Sequence, residues 1–168
     1  MAEPESLASR LFRIGMNFYP AYRGTGGRVM RISGDWREVE IRLPLGWRTR
    51  NYFGTIFGGS IYAAVDPFYA LMLIKNLGSG YIVWDRAAKV LYEKPGRETL
   101  YARFRLSGEE VEAVRRAAEG GAPVERTYPV ELRDAAGVVH ARVEKTVYVR
   151  KKPVSAGDRS QDQPGGGR

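Results

Sequence analysis

Gly58-Gly59-Ser60-Ile61-Tyr62-Ala63-Ala64-Val65-Asp66-Pro67-Phe68-Tyr69-Ala70-Leu71-Met72-Leu73-Ile74-Lys75-Asn76 is the stretch that decides how this chain folds. Its apolar residues leave no polar face on a helix, and a helix apolar all round is buried on every side. The apolar length approaches that of a membrane span. Asp66 and Pro67 interrupt its middle, however, no second span follows, and basic residues do not gather on one flank. The pattern therefore predicts a core helix over 58–76, ended by Gly78, Ser79 and Gly80.

Outward from this helix the periodicity changes to two. Val39, Ile41 and Leu43 alternate with Glu38, Glu40 and Arg42, which is the mark of a half-buried strand, and Ser33, Gly34 and Asp35 read as a hairpin turn within 29–43. After the helix come strands over 81–93 and 99–106, split at Lys94, Pro95 and Gly96. A short surface helix over 109–119 turns Val111 and Val114 inward and Arg115 and Arg116 outward. Strands over 125–133 and 138–150 close the chain, and Pro129 is expected at an edge or bulge because it has no N–H for a ladder. Strands wet on one face and a helix with no wet face combine most economically as an α+β domain, with an antiparallel sheet curled round a long central helix. So short a sheet does not cover such a helix alone. A second subunit continuing the sheet, and hence a homodimer or tetramer, is expected.

At the N-terminus, 6–16 reads as a short helix capped by Ser6. Leu7, Leu11 and Ile14 share one face, which is expected to pack on the domain's own sheet rather than on a membrane, the stretch being short with few cations. Pro20, Gly24, Gly26 and Gly27 then mark a turn. The organisation expected is an N-terminal helix and turn over 1–26, the main domain over 27–152, and a disordered basic tail over 153–168 rich in Gly, Gln, Asp, Arg and Ser.

A chain of 168 residues with 43% hydrophobic and 27% charged residues fits one globular domain. It contains no cysteine, which excludes disulfides, thiolate metal sites and a cysteine nucleophile. The start carries two glutamates and lacks a basic segment followed by an apolar run, so a cytoplasmic location is expected. The net charge of +8 favours acidic partners without choosing among them. Aromatic and basic residues do not recur in a nucleic-acid-binding pattern. Neither nucleic acid nor membrane is expected as a partner. No residue cluster has metal-ligand spacing, so no metal and no cofactor are expected.

Chemistry concentrates in 51–66. Gly58 and Gly59 open the helix, where the first N–H groups lack partners and the positive end of the helix dipole lies. They suit an anion or oxyanion, or else form a tight turn. Asp66 is an acid inside an apolar helix, costly there unless paired or facing a cavity. It is a candidate general base or nucleophile, or a cap for a helix restarting at Pro67.

Asn51, Gly54, Gly58, Gly59 and Asp66 resemble the active-site pattern of hotdog thioesterases of the phenylacetate-pathway type, Asn-x-x-Gly-x-x-His-Gly-Gly with an Asp seven residues beyond the second Gly. Phe57 stands in the His position. Gly54 to Gly59 also looks like an uncharacterised branch of that superfamily, whose members tend to carry Asp-Pro-Phe and Val-Trp-Asp like 66–68 and 83–85. The resemblance implies a hotdog fold and hydrolysis of an acyl-CoA thioester without metal or cofactor. By it, Asp66 activates water or attacks the thioester carbon, the Gly59 N–H holds the oxyanion and Asn51 orients water or substrate, while Gly54, Phe57, Gly58 and Ser60 line the substrate. Gly58 and Asp66 stand about 12 Å apart on a helix, so one carbonyl cannot touch both and the site is expected to be shared between two subunits. The second reading is a catalytically weak module holding an acyl or aromatic ligand, because Phe57 removes a hydrogen-bonding group. His140, which alternation sets with Arg142, Glu144 and Tyr148, is expected on the solvent face without a catalytic role. That weighs against the hydratases of this fold, which rely on a histidine paired with an acid. Arg48, Arg50, Lys94 and Arg97 could meet coenzyme A phosphates or be ordinary surface charge.

Overall fold

The computed structural model describes residues 3–153, so the tail expected to be disordered lies, beyond Pro153, outside the described residues. The first helix, α1 (Leu7–Phe18), starts at Ser6, whose side chain accepts from the Ser9 N–H while the Ser9 hydroxyl accepts from the Ser6 N–H. This reciprocal cap satisfies two orphan amides of the first turn. The helix does not pack by the face expected. Leu7 and Leu11 are 73% and 61% exposed, and the inward side is Ser9, Phe12 and Met16. Two contacts decide it: Phe12 stands edge-on to Trp36 at 4.8 Å, and Asn17 exchanges hydrogen bonds with the Val29 main chain at 2.8 and 2.9 Å. Asn17 thereby acts as a strand partner for an otherwise open sheet edge.

A single turn, α2 (Pro20–Gly24), replaces the plain turn expected there. It leads to the hairpin of β1 (Arg28–Ile32) and β2 (Glu38–Leu43), with Ser33 at its turn as expected. Gly26 sits between α2 and β1 at φ 84°, with the Thr49 methyl 2.1 Å from where a Cβ would stand. The Thr49 hydroxyl donates to the Pro44 carbonyl at 2.6 Å and accepts from the Gly46 N–H, so Thr49 is not free to move. Gly26→Ala combines left-handed strain with a clash and is expected to cost about 2–3 kcal/mol. Urea melts would show this as a lowered midpoint at unchanged slope.

The long apolar stretch is two helical segments in line, α3 (Gly58–Val65) and α4 (Phe68–Leu77), broken at Asp66 and Pro67, where the proline removes a backbone donor. Gly78, at φ 88°, ends α4. Then follow β3 (Tyr81–Tyr92), β4 (Leu100–Arg105), α5 (Gly108–Ala118), β5 (Val124–Arg133) and β6 (Val139–Lys151). The six strands form one antiparallel sheet in the order β1-β2-β4-β5-β6-β3, wrapped about α3 and α4. Ile61, Ala64, Val65, Phe68, Met72 and Leu73 of the helices meet the inward strand residues in one core. β4 pairs with β5 only at Tyr101 and Ala102, so Pro129 lies in a stretch of β5 whose other side is open. No helix among the described residues is long and apolar enough to cross a membrane.

Candidate active site

On β6 the inward positions are Ala141, Val143, Lys145, Val147 and Val149, all at 0% exposure. A lysine fully withdrawn from water is unfavourable by several kcal/mol unless its ammonium is paired. The Lys145 Nζ donates to Asp66 Oδ1 at 2.6 Å and to the Tyr62 hydroxyl at 3.3 Å, and lies 3.3 Å from Asp85 Oδ1. The ammonium thus meets three oxygens, two through hydrogen bonds, from the middle of α3 and from the break between the central helices, and one as an ion pair, from β3. A bulge between Asp85 and Ala87 makes this possible. The extra residue keeps Asp85 and Val90 on the inner face and turns Lys89 out, whereas strict alternation from Asp85 would turn Lys89 in.

The cluster carries two carboxylates and one ammonium. Burial lifts the Asp85 carboxyl above its ordinary value, with Lys145 opposing and Asp66 reinforcing the rise. Its Oδ1 has no hydrogen-bond partner, since the Lys145 contact is an ion pair off the hydrogen-bond angle. Burial works against the Lys145 ammonium, but the Asp66 hydrogen bond and the charges of both carboxylates outweigh it and hold its pKa above the ordinary lysine value. Burial and the neighbouring Asp66 push the Tyr62 hydroxyl up as well. Asp66 itself is 41% exposed: Lys145 anchors one oxygen while the side chain still reaches out of the core.

The second part of the site is the start of α3. Phe57 is the N-cap and supplies no side-chain cap, and among the described residues the N–H groups of Gly58, Gly59 and Ser60 have no acceptor. The two glycines lie between aromatic rings. A Cβ on Gly59 would stand 2.3 Å from the Phe57 ring and one on Gly58 3.1 Å from Tyr92, whose hydroxyl donates to the Gly58 carbonyl at 3.0 Å. Asn51, Thr55, Gly58, Ile61, Tyr92 and Lys94 line a cleft of about 300 Å³. The Asn51 side chain is engaged within its own loop, its oxygen accepting from the Phe53 and Thr55 N–H groups and its amide donating to the Thr55 hydroxyl. Gly54, at φ 76°, makes the turn of that loop, and Ser60 is buried just inside the helix.

Asn51, Gly54, Phe57, Gly58, Gly59 and Ser60 therefore gather at one end of α3 and Asp66 at the other. Lys145 and Asp85 escaped the sequence reading. The signal for Lys145 was available, since alternation along β6 sets a cation between Val143 and Val147 on the dry face. His140 requires a correction. It faces outward by alternation but is buried, with Nε2 2.9 Å from Asp134 Oδ2 and Nδ1 3.1 Å from the Pro95 carbonyl. The 134–138 turn and the segment after β3 fold over it, which strand parity cannot reveal. Its bond holds the Asp134 carboxyl below the ordinary range. Of the cations considered for phosphate contact, Lys94 lines the cleft, while Arg48, Arg50 and Arg97 are exposed. Among the described residues no three His, Asp or Glu side chains are grouped to hold a metal.

The family model described as domain of unknown function (DUF4442) matches residues 8–149. No curated protein matches the sequence. Among solved structures, PA5026 from Pseudomonas aeruginosa, a protein of unknown function described as a probable thioesterase, superposes with a TM-score of 0.78 at 16% identity, over 90% of this chain and 100% of that one. The thioesterase HI1161 from Haemophilus influenzae gives 0.65 at 15% identity over 90% and 96%. OLEI01261 from Chlorobaculum tepidum, of unknown function, gives 0.70 at 14% over 86% and 95%. At these identities the likeness shows the fold, which is the hotdog fold expected from the sequence.

Proposed function

The chain belongs to the DUF4442 family, and on this fold we propose that it hydrolyses acyl-CoA thioesters. One observation carries the reading: a half-exposed carboxylate, Asp66, is anchored through one oxygen by a fully buried lysine, at a break in the central helix. Such an arrangement fixes the direction of the second oxygen, as a general base requires. The thioesterase name borne by HI1161 agrees with it.

In the proposed reaction Asp66 takes a proton from water as the water oxygen adds to the thioester carbonyl carbon. The oxyanion accepts from the N–H of the partner's Gly59, at an amide-rich helix start, where such donors contribute about 3–4 kcal/mol. The C–S bond then breaks, and the departing thiolate takes the proton held by Asp66, leaving a carboxylic acid and free coenzyme A. Asn51, tied into its loop, positions the helix start, and Phe57, Gly54, Gly58 and Ser60 border the acyl group. Pairing across a two-fold axis has a natural place in β3, a twelve-residue strand at the open edge of the sheet.

A thiol-release assay over a panel of acyl-CoA substrates tests the activity; turnover on none of them sinks it. Because the site is assigned to two subunits, specific activity is expected to fall on dilution in step with dissociation followed by light scattering. Full activity from an isolated monomer would exclude the shared site. The second reading, a weakly catalytic binder of acyl or aromatic groups, is favoured by the engaged Asn51 side chain and the Phe57 ring over Gly59. It predicts ligand affinity without thiol release.

A further inference from the structure

The outward face of α1 is apolar and, among the described residues, uncovered. Leu7, Leu11, Ile14 and Phe18 succeed one another at i, i+4, i+7 and i+11 along one stripe. Phe18 is 70% exposed and the adjoining Tyr19 is exposed too. The helix spends Phe12 and Met16 on the sheet and so owes this second stripe nothing for its fold. Cations surround it. Arg10 flanks Leu7 and Ile14, and beyond Phe18 a shallow groove brings Arg23 and Arg28 beside Trp47 and Arg48. Arg28 joins the two regions by donating to the Asn17 carbonyl. Trp47 is 84% exposed, with the Arg48 guanidinium 4.8 Å from its ring centre. Among the described residues Arg10, Arg23, Arg28 and Arg48 make no ion pair, whereas Arg13, on the inner side, is neutralised by Glu5.

We propose that this face docks on an anionic membrane surface, with the α1 stripe and Trp47 lying at the level of the lipid headgroups and the arginines on lipid phosphates. An amphipathic helix with aliphatic and aromatic residues on one face and arginines at its margin is the form that lies in the bilayer interface. Tryptophan and tyrosine favour that depth because one end of the ring system is apolar and the other wet. A second copy of the chain is a poorer occupant, since an isologous contact sets the same arginines against each other. The expectation that α1 packs on the sheet rather than on a membrane rested on its being short with few cations; its leucines are exposed, and Arg23, Arg28 and Arg48, outside the helix, add the cations that it lacks. The proposal is independent of the hydrolase reading.

Vesicle flotation of the full chain tests it, with phosphatidylcholine alone and mixed with phosphatidylglycerol, at low and high salt. Binding is expected to the mixed vesicles, to weaken with salt, and to fall at least about tenfold in Leu11→Glu and in Phe18→Glu. Both positions are exposed, so circular dichroism and melting should stay as in the parent. Three outcomes overturn the proposal: no flotation with mixed vesicles at low salt; binding untouched by either substitution, which would leave only diffuse attraction to a basic protein; or an oligomer that dissociates in Leu11→Glu, which would give the face to a second copy.

Discussion

Asp66→Asn is expected to leave the protein folded and to lower kcat for thioester hydrolysis by about 10²–10⁴-fold, the range lost when a positioned general base is removed. The amide oxygen can still accept from Lys145, and the side chain keeps its size and its partial exposure at the helix break. What disappears is the charge and the ability to take a proton. Lys145 keeps Asp85 as a counter-charge, so the stability cost should be about 1–2 kcal/mol, that of weakening one hydrogen bond to a charged group. Binding of a non-hydrolysable acyl-CoA analogue should change little. The two readings separate here. A variant that binds and does not turn over identifies Asp66 as the base, whereas undiminished turnover removes Asp66 from the chemistry and the hydrolase mechanism with it.

Much of the fold was legible before any coordinates. The absence of a polar face over 58–76 leaves a buried helix as the consistent outcome, and alternation such as that of Leu100, Ala102 and Phe104 marks the strands and their inner faces. The misreadings share a physical cause. α1 carries two apolar sets, Leu7 with Leu11 and Ile14, and Phe12 with Met16, and local periodicity does not rank them. The ranking comes from Trp36 and from Asn17 on the edge of β1, contacts made across the chain. His140 was set outside by strand parity, which holds, but burial there is supplied by Pro95 and the Asp134 turn.

The candidate site divides in the same way. Asp66 was conspicuous as an acid needing a partner, and that need is a local property of an apolar helix. The partner is 79 positions away on strand β6, and its face depends on register. Asp85 is aligned with it by a bulge, which the run Val83-Trp84-Asp85 does not announce.

Lys145→Met should reveal how far that partner holds the site together. Methionine fills a similar volume on an inner face otherwise made of alanine and valine, so lost packing is small. The electrostatic loss is not. Asp85, with one oxygen already lacking a hydrogen bond, would face Asp66 with no cation between them. Breaking a buried pair by removing one member typically destabilises by about 3–5 kcal/mol, and the lower end applies because Asp66 can turn toward water. The dependence on pH follows from the directions of the shifts. In the parent the folded Lys145 pKa is raised, so its contribution is fully present below about 10.5 and is lost as pH rises through the folded value. The folded Asp85 pKa is raised by burial, and removing the lysine charge raises it further. A carboxyl with a raised folded value binds its proton more tightly folded than unfolded. The variant therefore recovers stability as pH falls through that value toward the ordinary carboxylate range. The deficit measured by urea melts should be greatest near neutrality and shrink at both acidic and strongly alkaline pH. A deficit constant across pH would mean that the lysine acts through packing alone. In that case the lysine charge would not fix the direction of Asp66, and the reading of Asp66 as a positioned base would lose its support.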